Sequence, residues 1–409
     1  VIALVDPGKL TGDAATAHAD YAAAGGQVEP WRGELDAGAG LLIDGILGSG
    51  LEREVEGRFA DAVNAMNAHA APVLALDIPT GIHGDTGAVL GCAVRADMTV
   101  TFVGLKSGLF LGAAPDYCGE VGFAGLDIPD SYREEIAPVL RRVDDAMLAA
   151  ALPRRRRMAH KGDFGHVLII GGGAGMPGAV RLAGEAALRC GAGLVSIATH
   201  PSHASVLVAS RPELMPHGVE TAKDLAPLLE RADVIAFGPG LGQSAWAQGM
   251  LEAVANQALP AVWDADALNL LASRPATMRD RVITPHPGEA GRLLRSTTAQ
   301  IQADRRAALA ALADKYGGTV VLKGAGSLVS ADPIPFISTA GNPGMGSAGM
   351  GDVLTGIIAG LIGQGLDIRT AAAVGVEVHA RAGDRAAIGG ERGLIASDLL
   401  AELRKVINP

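Results

Sequence analysis

Aromatic residues are scarce in this chain, at 3% of its residues. Glycine, with 56 residues, and alanine take their place, a composition suited to close helix packing and many backbone turns. Cysteine is scarcer still. Cys92, Cys118 and Cys190 are odd in number and far apart, which argues against a disulfide framework and offers no metal spacing; reduced thiols in a cytoplasmic protein are expected. No long apolar run is present. The most apolar stretch, Val353–Gly363, meets Gln364 well short of the roughly 20 residues a membrane span needs, so a core helix and no membrane contact are expected. Positive charge is not in excess either: the net charge of −10 argues against nucleic acid as a partner. It leaves nucleotides open, because backbone N–H groups and helix N-termini can hold phosphate. Val1 is not a methionine, no signal peptide precedes it, and the chain opens inside an apparent strand. An upstream segment is therefore expected to be missing, although an alternative start codon would look the same. No repeat period appears, which excludes a solenoid.

What is present suits two domains. The chain has 409 residues, 49% hydrophobic and 19% charged, enough apolar material for two cores. Short apolar or β-branched runs alternate with Ala-rich helical stretches, the mark of parallel sheets with crossover helices. In the first part, strands are expected at Val1–Val5, Leu41–Ile46, Val73–Asp77 and Met98–Phe102, with helices near Gly12–Ala24 and Phe59–Ala68. The charged stretch from Asp130 to Ala151 is read as helical. It runs into Leu152-Pro153 and four arginines, Arg154 to Arg157, an exposed joint more than a phosphate contact. The expected organisation is a domain at 1–140, a linker at 141–157 and a domain at 158–409. In the second domain, strands are expected at Val167–Ile170, Leu194–Ala198, Val234–Phe237, Ala261–Trp263, Val282–Thr284 and Thr319–Leu322. A hairpin of Ser327–Ser330 and Phe336–Ser338 is placed beyond the main sheet. Helices near Val353–Gly363, Thr370–Ala387 and Ser397–Ile407 close the chain.

The strongest chemical signal runs from Gly341 to Asp352, Gly-Asn-Pro-Gly-Met-Gly-Ser-Ala-Gly-Met-Gly-Asp. It follows a strand and opens an apolar helix. Its glycines permit left-handed backbone and close ligand approach, and N–H groups at the helix start form an anion nest. Asp352, in the first turn, would sit beside a held phosphate and can take the proton of an attacking hydroxyl. Phosphoryl transfer needs little beyond positioning and charge. A structural turn with Asp352 as an ordinary helix-start residue is the competing reading.

Other strand ends carry compatible residues, and in open α/β sheets such ends converge. They are Phe237-Gly-Pro-Gly-Leu-Gly242, Trp263-Asp264-Ala265-Asp266, Thr284-Pro-His286-Pro-Gly-Glu289 and Leu322-Lys323-Gly324. Two carboxylates, an imidazole and a Glu could hold Mg2+ through water and grip a polar substrate. Each has a plain alternative: capping for Asp266, a satisfied loop residue for His286, a solvated side chain for Lys323.

With His160-Lys-Gly-Asp-Phe-Gly165, Gly171-Gly172, Pro177-Gly-Ala179 and Lys323-Gly-Ala325 added, residues 155–409 resemble the ADP- or ATP-dependent NAD(P)H-hydrate dehydratases, in the family's order. The first 140 residues resemble the NAD(P)H-hydrate epimerase domain often fused upstream. The pieces are Leu10–Ala14, Asp44-Gly-Ile-Leu-Gly48-Ser49-Gly50, Asp77-Ile-Pro-Thr80-Gly81, and Phe102 with Lys106. The resemblance implies two doubly wound α/β domains: an incomplete Rossmann-like domain and a ribokinase-like domain. It implies ADP-dependent dehydration of the S form of hydrated NADH or NADPH, with AMP and phosphate released. Asp352 would be the base. Lys323, Gly324, Ala325, Gly326, Ser327 and Gly351 would contact the adenine nucleotide. Ala179, Gly242, His286 and Asp352 would contact the hydrated cofactor. In the epimerase half, Gly48, Ser49, Gly50, Leu51, Glu52, Arg53, Glu54 and Asp77 would contact substrate, and Asp44 and Thr80 would contact K+. Mg2+ would arrive with the nucleotide, and a homo-oligomer is expected. The family's Asn- and Gly-rich opening loop does not appear before Val1, so poor epimerisation is expected, with Asp44 and Asp77 repelling each other and one pKa raised. Two rivals remain: a vitamin- or sugar-alcohol kinase of the same fold using ATP, and a non-catalytic nucleotide sensor. The upstream epimerase-like domain disfavours the first, and an intact Asp352 the second.

Overall fold

The computed structural model describes residues 1–129, 131–132 and 135–408, and sixteen strands lie among them. The strands are β1 (Ile2–Ala3), β2 (Glu29–Pro30), β3 (Leu42–Asp44), β4 (Val73–Leu76), β5 (Met98–Phe102), β6 (Glu120–Ala124), β7 (Arg141–Arg142) and β8 (His166–Ile170). They continue as β9 (Leu194–Thr199), β10 (Met215–Gly218), β11 (Val234–Phe237), β12 (Ala261–Trp263), β13 (Arg281–Ile283), β14 (Thr319–Leu322), β15 (Ser327–Val329) and β16 (Phe336–Ser338). The chain divides into two units, Val1–Ala137 and Pro138–Pro409.

The first unit holds a parallel sheet in the order β3-β4-β5-β6. The helix Gly57–Ala68 joins β3 to β4 and buries Ala62, Val63 and Met66. The strand expected at Val1–Val5 is only β1, which pairs with β2 in a separate two-stranded ribbon. Val1, Ile2 and Val5 are exposed and Leu4 alone of the run is buried, so the run does not make a core strand.

The second unit is built on a ten-stranded sheet, β10-β9-β8-β11-β12-β13-β14-β15-β16-β7. From β10 to β14 every pairing is parallel. Strands covered on both faces lose the polar alternation, and β8, β11, β12 and β14 are buried at every position. The chain runs outward from β8 through β9 to β10, then returns to place β11 on the other side of β8. That reversal makes a crevice at the carboxyl ends of β8 and β11.

The apolar helix Met350–Gly363 is a core helix, as its sequence predicts; it is buried from Val353 to Ile362. It approaches the helix Pro177–Arg189 backbone to backbone: a Cβ on Gly356 would lie 2.0 Å from the Ala183 carbonyl oxygen. Among the described residues no helix is long and apolar enough to cross a membrane.

Two expectations are corrected here. The hairpin does not stand beyond the main sheet. Gly324 and Gly326, at φ 140° and 62°, turn the chain back so that β15 pairs antiparallel with β14 and extends the sheet. Nor is 141–157 a free linker along its length. β7 adds to β16, Val143 and Leu148 are buried in the second core, and a helix runs over Asp145–Ala151. Its positions 130, 133 and 134 lie outside the described residues. Arg154, Arg156 and Arg157 are exposed, as a joint requires. Arg155 instead stacks on Phe164 at 3.6 Å and donates to Gly191 O and Gln364 Oε1.

Candidate functional site

The glycine loop of the second unit has a built interior. Asn342 accepts from Gly344 N and donates to Asp384, which also accepts from Gly341 N. Gly349 takes the left-handed conformation (φ 89°) and starts the helix Met350–Gly363 with no side-chain cap. The first N–H groups of a helix have no intrahelical partner, so an uncapped start leaves them for an anion. Ser347 Oγ, in the same loop, is buried without a partner. The left-handed positions are Gly341 and Gly349, not Gly351, which is helical.

Asp352 sits in that first turn, and no group among the described residues hydrogen-bonds its carboxylate. Thr355, one turn on, donates to Asp264 Oδ2 at 3.0 Å, which sets Asp264 against the same helix face. Lys323, at the end of β14, donates to Asp264 Oδ1 at 2.8 Å and lies 3.9 Å from Glu289. Lys323 is therefore not the solvated residue that composition favours. Its ammonium is held inward between two buried carboxylates. Burial alone would raise Asp264, but the charge and hydrogen bond of Lys323, with Thr284 and Thr355, hold it below the usual carboxylate range. Asp352 goes the other way. Burial, and then the negative charge of Asp264, push it up to about 7, with Lys323 opposing. Neighbouring carboxylates driven apart in this way mark acid–base sites.

Ala265 lies between Asp264 and Asp266 at φ 50°, ψ −118°, a conformation that costs a residue with a Cβ of order 1–3 kcal/mol. The reversal lets consecutive carboxylates face different ways. Asp264 enters the buried pair. Asp266, rather than capping its helix, accepts from Gly242 N at 2.8 Å and from Asn269. Gly242 thus offers a ligand its Cα edge, not its N–H. The crevice loops at β8 and β11 are joined directly: Gly172 N donates to Pro239 O and Gly173 N to Gly240 O. Ala179 packs against Gly240, which brings the predicted substrate contacts Ala179 and Gly242 together.

His286 serves two ends at once. Its Nδ1 caps the helix Pro287–Leu294 by accepting from Gly288 N, and its N–H donates to Glu289. Burial, Lys323 and Arg292 lower its pKa. The ring is neutral, with the proton on Nε2 as the capping bond requires, and its side chain is half exposed. Lys323–Ser327 forms the β14–β15 turn, with Gly324 and Ala325 exposed and Ser327 Oγ bridging Gly324 N and O.

In the first unit, Asp44 and Asp77 end neighbouring strands, yet they do not repel in the way expected. Asp44 is 1% exposed. It accepts from Thr80 N and Thr80 Oγ1, both at 2.7 Å, and from Ile46 N. Its pKa is raised by burial. Asp77 is taken up by Lys106, which forms an ion pair with it. Burial pushes Asp77 up, but Lys106, Phe102 N–H and Thr101 outweigh it and hold the carboxyl low. Sequence reading missed that pair, 29 residues apart; the signal was Lys106 itself, a lone cation just past a strand end. Asp77 is also left-handed, at φ 71°. Gly48 and Gly50 to Arg53 line a shallow depression, and Ser49 and Glu54 are exposed. Leu51 turns its side chain into the core and offers a ligand only backbone.

Two measurements check the second site. The rate constant kcat/KM should rise with pH and level off above about 7, falling about tenfold per unit on the acid side, because the base must be ionised. Gly351→Val should weaken ADP and AMP binding, measured by calorimetric titration, more than it lowers stability. A Cβ there already meets Asp264 Oδ2 at 3.1 Å and Lys323 Nζ at 3.2 Å, so a branched side chain must displace the pair or fill the nest. Unchanged affinity would mean the loop is structural.

Two family models match the chain. One, described as NAD(P)H-hydrate dehydratase, covers residues 167–405, and one, described as the YjeF-related protein N-terminus, covers residues 1–108. A bifunctional NAD(P)H-hydrate repair enzyme from Coxiella burnetii is 48% identical over 371 residues, 90% of this chain and 76% of that one. Among solved structures, an ADP/ATP-dependent NAD(P)H-hydrate dehydratase from Bacillus subtilis, co-crystallised with ATP and Mg2+, is 30% identical with a TM-score of 0.61, covering 66% of this chain and 98% of its own. A ribokinase-like superfamily protein from Enterococcus faecalis is 30% identical with a TM-score of 0.62, covering 67% of this chain and 99% of its own. Such identity across nine tenths of the chain, with each unit matched by its own model, makes this chain a member of the bifunctional NAD(P)H-hydrate repair enzyme family.

Proposed function

We propose that the second unit dehydrates the S form of hydrated NADH or NADPH at the expense of ADP. Asp352 takes the proton from the ring hydroxyl. The oxygen attacks the terminal phosphoryl group of ADP, and AMP leaves. Inorganic phosphate then leaves with the C–O bonding pair and the adjacent ring carbon gives up a proton to solvent, restoring the ring double bond. The observation that carries this is the unpaired carboxylate of Asp352, poised near neutrality behind an uncapped helix start at the crevice. Lys323 to Ser327 and Gly351 take the nucleotide; Ala179, Gly242 and His286 take the hydrated cofactor. Mg2+ would arrive on the phosphates, where it would supply charge neutralisation, held through water by Glu289.

We read the first unit as the epimerase of the R and S forms, with Gly48 to Glu54 and Asp77 at the substrate. Asp44 is a buried carboxylate without a cationic partner among the described residues, a donor that suits a hard cation, and with Thr80 it would hold K+. The three free thiols fit a reducing cytoplasm, and assembly as a homo-oligomer is open to light scattering. The deciding experiment incubates the chain with hydrated NADH and ADP or ATP and follows recovery of dihydronicotinamide absorbance. A phosphorylated product that accumulates without that recovery would favour a small-molecule kinase. Adding the R form alone, against its spontaneous conversion, tests the epimerase reading.

A further inference from the structure

Arg305 is 2% exposed and stands at the first position of the helix Arg305–Tyr316. A cation there opposes the helix dipole. Among the described residues no carboxylate lies within ion-pair distance of it, and burial lowers its pKa to about 10. A buried, uncompensated charge is costly, and nothing in the reaction above uses it.

Its donors account for its place. Nη2 reaches Leu322 O at 3.1 Å, Lys323 O at 3.2 Å and Gly326 O at 3.4 Å, while Nη1 takes Gln302 Oε1 at 2.7 Å. Three carbonyls of one tight turn are thus gathered on one guanidinium. In a trans peptide the C=O and the following N–H point to opposite sides. Drawing Lys323 O and Gly326 O inward therefore turns the N–H groups of Gly324 and Ser327 away from Arg305, where that of Gly324 meets Ser327 Oγ. The cation also offsets the carbonyl dipoles that would otherwise repel phosphate. Gly324 packs directly on the fork: a Cβ there would meet Nη1 at 2.8 Å.

We propose that Arg305 is a positioning residue for the adenine nucleotide, shaping the Lys323–Ser327 turn from behind without touching the ligand. This rests on the reading that the turn contacts ADP. Lysine keeps the charge but lacks the planar fork, so it cannot hold the three carbonyls on one nitrogen while the other takes Gln302 Oε1. Arg305→Lys in the full chain should therefore raise KM for ADP and Kd for AMP about tenfold or more, with kcat and KM for the hydrated cofactor within about threefold. Gln302→Leu removes the partner of Nη1, loosens the same fork from outside the nucleotide turn, and should shift the same two constants. If Arg305→Lys fails to fold, Gln302→Leu decides. Unchanged ADP and AMP constants in a folded variant overturn the proposal. So does a fall in kcat and Tm with those constants intact, which would make Arg305 merely structural. A parent chain that binds neither ADP nor AMP refutes the nucleotide reading itself, and this inference with it. A parent that binds both and a Lys variant that binds them equally refutes this inference alone.

Discussion

Asp352→Asn is expected to slow dehydration of S-form hydrated NADH by about 10²–10⁴-fold, the usual cost of removing a general base, while Kd for AMP and ADP stays within a few-fold. The two effects separate because the site is made of different materials. The proposed base is one carboxylate; the proposed phosphate site is backbone N–H at an uncapped helix start. The amide keeps the shape of the side chain. It also removes a negative charge that Asp264 resists, since Asp264 helps push Asp352 to about 7. The variant should therefore be no less stable than the parent above pH 7, where the parent carries both charges. Single-turnover assays with saturating ADP, beside calorimetric titration, check both halves. Turnover within a few-fold of the parent would remove Asp352 from the mechanism.

Asp264→Ala is expected to lower the stability of the second unit by about 3–5 kcal/mol, the range for removing one partner of a buried ion pair. Asp264 is 2% exposed, and its loss leaves Lys323 with only Glu289, 3.9 Å away. Thr355 loses its acceptor as well. The folded pKa of Asp264 lies below its unfolded value. Its contribution is therefore present above about pH 4 and is lost as pH falls through the folded pKa. The penalty of the substitution should shrink in acid. Scanning calorimetry of the full chain, following the transition that AMP shifts upward, gives the measurement. A loss under about 1 kcal/mol at pH 7 would show that the pair is not buried in solution.

Much of this site was legible in the sequence because its parts are local. β8, β11, β12 and β14 show as short apolar runs, and the glycine loop with Asp352 is contiguous. What was not legible depends on distance or on weak pattern. The Asp264–Lys323 pair spans 59 residues, and Arg305 meets its turn 17 to 21 residues on; neither leaves a periodic trace. β10, Met-Pro-His-Gly, is an edge strand with none of the β-branched residues that mark the others. β7 is two exposed arginines, a charged edge that guards a sheet but reads as a joint. The resemblance carried Lys323 and Asp44 into the site, whereas composition alone would have left one in solvent and the other unremarked.

The backbone contact between the helices Met350–Gly363 and Pro177–Arg189 bears on kinetics. One helix begins near the base and the other near Ala179, and Gly356 and Gly360 leave no room for a side chain between them. The proposed proton acceptor and substrate floor are thus fastened to one chassis. Parting the helices would break that backbone contact, so entry of a dinucleotide and departure of the repaired cofactor are expected through the turns at the rim. The same fastening constrains drift in specificity: a change that re-seats the floor will tilt the acceptor with it, so broadening the substrate range should come at the expense of rate.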